Sequence, residues 1–104
     1  MSAINEMYVK EFNADLGELA LNIEGSKHWR RFNANRIGKI KKTTALQKRL
    51  FTKKQVERIE IFIDGDNTLY VIQKNRLKDD FNWVNDVLKS FAEKNKVVYE
   101  EDDK

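Results

Sequence analysis

Between Val56 and Phe91 the spacing of apolar residues changes once, from a period of two to a helical period. Ile59, Ile61 and Ile63 alternate with Glu60 and Phe62, which marks a half-buried strand. Asp64-Gly65-Asp66-Asn67 follows, residue types that tolerate positive φ in a tight turn. The run Thr68 to Gln73 is again β-branched and aromatic, and a tight turn puts Tyr70 and Ile72 on the face of the three isoleucines. Further on, Phe81, Val84, Val87, Leu88 and Phe91 form one stripe of a helix, with Trp83 at its edge. Asp79 or Asp80 can cap that helix, and Lys89, Lys94 and Lys96 suit the negative end of its dipole. A lone hairpin is marginal in water, so the helix is expected to cover its apolar face.

The rest of the chain is less uniform. Ile4, Met7, Tyr8 and Phe12 follow helical spacing with Ser2 as a cap, while Met7 to Phe12 fits a strand equally well. Asn13 to Gly17 reads as a turn. Glu18 to Glu24 alternates with Leu19, Leu21 and Ile23 inward, a strand that Gly25-Ser26 ends. Lys27 to Lys42 fits a helix through Trp29, Phe32, Ile37 and Ile40. It fits two short strands joined at Asn33 to Asn35 about equally well. Thr44 and Gln47 have capping-box spacing, as do Thr52 and Gln55, and Phe51 and Val56 suit a hydrophobic staple. Thr44 to Phe51, extended to Gln55, is therefore expected to be helical. These readings give one α+β binding domain over residues 1–96 and an acidic, disordered tail over residues 97–104.

At 104 residues and 40% hydrophobic content the chain can bury one modest core. It holds no apolar run of about 18 residues and no signal-peptide pattern. It also lacks cysteine, and with it any disulfide framework or thiolate chemistry. These features point to a soluble, cytoplasmic protein, associated peripherally with a membrane or with nucleic acid. The net charge of +3 is unevenly spread. Ser26 to Arg58 holds twelve basic residues and one acidic residue, a balance of +11 between two segments of −4 each. Such a block reads as an anion-binding surface. The plainer reading is lysine-rich solubility of the kind found in AT-rich or phage-like genomes.

Motifs for chemistry are weak. IFIDGDNTL resembles the nucleophile motif of haloacid-dehalogenase-like phosphatases, which would make Asp64 a nucleophile and Asp66 a general acid. Too little chain follows for the parallel sheet those enzymes need, and a turn explains the same residues. A calcium loop starting at Asp64 would have Leu69 and Asn75 where glycine and glutamate belong. His28 is the only histidine, and the four glycines form no phosphate-binding pattern. No catalytic set, metal site or cofactor site is therefore expected. The basic block remains: Lys27, Arg30, Arg31, Arg36, Lys39, Lys41 and Lys42, interleaved with Trp29 and Phe32. Arginine forks and lysine point charges suit phosphate, and the two aromatics are either base-stacking platforms or core residues, with core packing favoured.

KHWRRF, IEIFID, TLYVIQ and DDFNWVNDVLKSF, in that order, resemble parts of a pleckstrin homology domain. The resemblance implies a seven-stranded antiparallel, partly open barrel with a C-terminal amphipathic helix, in which Trp83 is the family's constant tryptophan. It also implies a non-enzymatic module in which Lys27, Arg30 and Arg31 face a phosphoinositide headgroup, supported by Lys39 and Lys41. Thr43 to Gln55 departs from it by reading more helical than a fourth strand. The expected fold is thus α+β, a small antiparallel sheet or partly open barrel with a C-terminal helix. The expected function is binding of an acidic membrane headgroup or phosphorylated partner. The alternatives are a small phage-type regulatory protein that binds nucleic acid, and a protein-interaction module docking through Phe62, Leu69 and Val71.

Overall fold

The hairpin anticipated around Asp64 is central to the fold. The computed structural model describes residues 5–48 and 53–102. Strand β5 (Lys53–Ile63) turns through Asp64–Asn67 into β6 (Thr68–Gln73), with Ile61 opposite Tyr70 and Ile59 opposite Ile72. Gly65 takes φ +77° in the turn, a conformation that favours glycine. The helix α1 (Phe81–Asn95) starts at Asp80, whose carboxylate accepts the Trp83 N–H at 3.0 Å. It buries Phe81, Val84, Leu88, Phe91 and Ala92, and Val87 is partly buried.

The earlier segments are all strands: β1 (Asn5–Ala14), β2 (Glu18–Ile23), β3 (Trp29–Asn33) and β4 (Ile37–Lys48). Of the two readings for the first twelve residues the strand holds from Asn5; Ser2 and Ile4 lie outside the described residues. Of the two readings for Lys27 to Lys42, the pair of strands is correct, joined by a 3-10 turn at Ala34–Arg36. The helix expected over Thr44 to Gln55 is not formed. Its residues up to Lys48 continue β4 and those from Lys53 belong to β5, paired as far as Lys48 opposite Lys53. The expected cap and staple at Thr52 and Phe51 lie outside the described residues. Cross-strand pairing over the whole hairpin outweighs the weak local signal of two capping-box spacings. The tail is not wholly disordered either, since Val98–Glu101 form β7.

The strand order is β3-β2-β1-β6-β5-β4-β7, and the sheet is mixed, because β1 runs parallel to β6 and β7 parallel to β4. The sheet stays open, but chain connectivity forces it to curl. In a flat sheet the five spacings from β3 to β4 would cover about 24 Å. The three-residue connection from Asn33 to Ile37 reaches at most about 14 Å. The curl brings Phe32 of β3 within 5.3 Å of the Tyr70 ring on β6. Inside it lie Val9, Phe12, Leu19, Leu21, Ile23, Ile40 and the hairpin isoleucines, with α1 packed on them.

Two bulges set which residues face this core. Lys10 is the extra residue between the pairs Val9–Ile23 and Glu11–Asn22, and Gly38 the extra residue between Ile37–Ile63 and Lys39–Phe62. Each bulge puts apolar residues three apart on one side: Val9 with Phe12, Ile37 with Ile40. A Cβ at position 38 would meet the Asp64 carboxylate, which would have to swing aside to admit it. The outer face buries Leu69 and Val71, which removes them as an exposed docking surface. Long charged side chains lie flat over that face. Arg76 stacks 4.0 Å above Tyr8 and pairs with Glu24, and Arg58 bridges Glu6 at 2.8 Å and Glu60 at 3.1 Å.

Candidate anion-binding surface

A site for one compact anion needs several cations converging on one point, and strand geometry decides whether they do. Arg30 and Arg31 are neighbours on β3, so they face opposite sides of the sheet. Arg30 is exposed on the side of the strand that carries Phe32, where its Nη1 donates to the Tyr70 hydroxyl at 2.9 Å and its guanidinium lies 5.8 Å from the ring centre. The Tyr70 hydroxyl in turn reaches Asp66 at 3.4 Å. Arg31 faces outward and pairs with Glu18 at 3.1 Å. Lys27 and Arg36 are exposed at opposite ends of β3, with no ion pair among the described residues. Phe32 is core, as favoured, and its ring is not open to a base; Trp29 is 41% exposed and stays a stacking candidate.

The β4 lysines are arranged differently, because β7 lies beside them. Lys39 is 3.5 Å from Glu100 and 4.7 Å from the centre of the Phe62 ring. Lys41 lies 3.7 Å from Asp102, whose carboxylate also accepts the Thr43 hydroxyl at 2.7 Å. Lys42 contacts Glu57 at 3.6 Å and Glu101 at 3.7 Å. Parallel pairing brings the charges together: Glu101 stands directly opposite Lys42, while Glu100 and Asp102 reach diagonally to Lys39 and Lys41. The seven basic residues therefore do not form one cluster. Two lie at the ends of β3, two on its opposite faces, and three on β4 under an acidic strand.

Further basic residues lie where a helix was expected. β6 accompanies β5 only to Glu57, whose carbonyl accepts the Lys74 N–H at 3.0 Å. β7 accompanies β4 only to Lys42, whose carbonyl accepts the Asp102 N–H at 2.9 Å. From Ala45 opposite Val56 to Lys48 opposite Lys53, the ribbon has no flanking strand among the described residues. Those four rungs extend about 13 Å beyond the sheet. The sequence from Thr44 to Gln55 holds Lys48, Arg49, Lys53 and Lys54 and no acidic residue, with Arg49 outside the described residues. The available signal was that absence of acidic residues, which an exposed helix of this length would rarely show.

The DGDN segment forms its turn through the Asp66 carboxylate and the Asp64 backbone. Asp66 Oδ1 accepts the Thr68 N–H at 2.9 Å, and this bond, ahead of contributions from Thr68, Tyr70 and Arg30, holds its carboxyl below the usual range. The Asp64 N–H bonds the Arg36 carbonyl at 2.8 Å. Among the described residues no group of three His, Cys, Asp or Glu could hold a metal ion, and no helix is long and apolar enough to cross a membrane. Trp83 sits in the helix, but it is 56% exposed and, among the aromatic rings of the described residues, meets only Phe12, at 6.0 Å. The segment KHWRRF leads into the third strand, and a strand follows the helix. Comparison with protein-family models, curated proteins and solved structures finds no match to this chain.

Proposed function

We propose that this protein is a non-enzymatic module that binds the phosphate backbone of duplex DNA through the β4–β5 ribbon. The observation that carries this reading is the ribbon itself, a two-stranded projection whose sequence between Thr44 and Gln55 is +4. A B-DNA major groove about 12 Å wide admits such a ribbon, and lysine and arginine neutralise the phosphates along it. The headgroup reading has less support, because Arg30 and Arg31 point to opposite faces and Lys39, Lys41 and Lys42 already have acidic partners. The Thr68 N–H holds the Asp66 carboxylate in the turn, which favours a structural role for that residue over a catalytic one.

The test is a titration of a labelled DNA duplex at several salt concentrations, followed by anisotropy. Four phosphate contacts predict a log–log salt slope of about −3.6. Absence of binding at low salt would sink the proposal. A clear preference for phosphoinositide vesicles over the duplex would restore the headgroup reading.

The acidic strand sets a second expectation. In the full chain, Glu100→Gln with Glu101→Gln and Asp102→Asn frees Lys39 and Lys41 and removes one of the two partners of Lys42. DNA affinity at low salt should rise roughly fivefold, with a slope steeper by about 2. The same titration measures both, and unchanged values would mean that the β4 lysines do not reach the DNA.

A further inference from the structure

Strand β7 is attached mainly through one edge. It pairs with Lys39–Lys42 of β4 and sets Glu100 and Glu101, together with Asp102 just beyond its end, against the lysines of that strand. Within it only Tyr99 is half-buried, with its hydroxyl donating to Asn85 at 2.7 Å; Val98, Glu100 and Glu101 are exposed. So short and so little buried an element is among the first to open in native fluctuations. Its link to α1 is the pair Lys96–Val97, and Lys96 is held at φ 58°, ψ 34°. This left-handed conformation is one that glycine or asparagine takes readily and lysine rarely.

We propose that β7 exchanges between two copies of this chain, each strand adding in parallel to the β4 edge of the other. The contacts it loses on its own β4 are remade on an identical edge: three carboxylate–lysine pairs, the Thr43–Asp102 hydrogen bond and the backbone ladder. What differs is the hinge. Opening it releases Lys96 from the left-handed region in both chains, and short strained hinges favour exchange. An unrelated acidic strand would have to displace a tethered one, present at high effective concentration, with no such relief assured at a second hinge. The uncovered β4 edges cannot substitute by pairing with each other, because their lysines repel. This exchange is independent of DNA binding.

The chain has no cysteine, so single introduced thiols report the contact directly. Chains carrying Thr43→Cys and chains carrying Asp102→Cys are mixed at high concentration, incubated and oxidised. Both positions lie at the surface end of the β4–β7 pairing, and circular dichroism checks that the fold is kept. Exchange predicts the 43–102 mixed disulfide about tenfold over either like-with-like dimer. It also predicts that a chain carrying both substitutions gives linked dimers besides internally closed monomers. Dimers in the proportions of random collision, or closure of the double variant within single chains only, would overturn the proposal.

Discussion

Replacing Lys48, Lys53 and Lys54 together by glutamate is expected to weaken binding to duplex DNA by roughly 100-fold at moderate salt and to flatten the log–log salt slope by about 2.7. The two effects have one cause. Each lysine that neutralises a phosphate releases about 0.9 counterion, so removing three contacts lowers the salt dependence as well as the attraction. The fold should survive, since the ribbon runs beyond both flanking strands. The control is Lys27→Glu with Arg31→Glu, which reverses two charges near β3 against three on the ribbon and is expected to weaken binding by much less than two-thirds of the ribbon effect on the logarithmic scale. If the control abolishes binding and the ribbon variant does not, the site belongs to β3.

The second large effect is on stability. Arg58→Ala should cost about 2–3 kcal/mol, or on the order of 10–15 °C in melting temperature. The Arg58 side chain is 9% exposed and bridges Glu6 and Glu60 on the outer face. Truncation leaves the half-buried Glu60 beside buried Val71, its cross-strand partner, without the cation that neutralised it. The expected cost stays below that of a fully enclosed pair because the Glu6 side chain is 40% exposed. The Nε–H of Arg58 also has no acceptor among the described residues, so its desolvation is only partly offset. Arg58→Met, which keeps the volume, should therefore cost less when combined with Glu6→Gln and Glu60→Gln than Arg58→Ala does alone. Chemical denaturation of the three proteins compares them, and an unaffected Arg58→Ala midpoint would mean that the bridge contributes nothing.

The same bridge predicts a pH dependence. Its hydrogen bond to Arg58 is the main reason the Glu6 carboxyl titrates below its usual value. Near the ordinary carboxylate pKa the folded state therefore binds fewer protons at Glu6 than the unfolded chain does. This contribution is complete above the unfolded pKa and is lost as pH falls through the lowered one. In Arg58→Ala the acid limb of the stability curve should be shallower, as denaturation at a series of pH values would measure.

The hairpin and helix were legible because their signals are local and agree. Alternating isoleucines, a turn with Gly65 at positive φ, and a capped apolar stripe each follow from neighbouring residues. The first twelve residues and Lys27 to Lys42 stayed open for an identifiable reason. A bulge spaces Val9 from Phe12, and Ile37 from Ile40, by three residues on one face of a strand, which is the spacing a helix would produce. Thr44 to Gln55 went wrong because a capping-box spacing is a weak signal, whereas the pairing of β4 with β5 joins residues far apart along the chain.

The candidate site divides in the same way. Its charge block and acidic end are properties of the sequence alone, as are the turn chemistry of Asp64–Asn67 and the stripe of α1. The tertiary structure decided which of those charges act together. Two residues adjacent on β3 face opposite ways, while Glu100 and Asp102, about sixty positions from Lys39 and Lys41, come to rest on them. Side-chain facing along a strand follows from its sequence once the register is known. The register, the bulges and the strand that covers an edge are set only by pairing across the sheet.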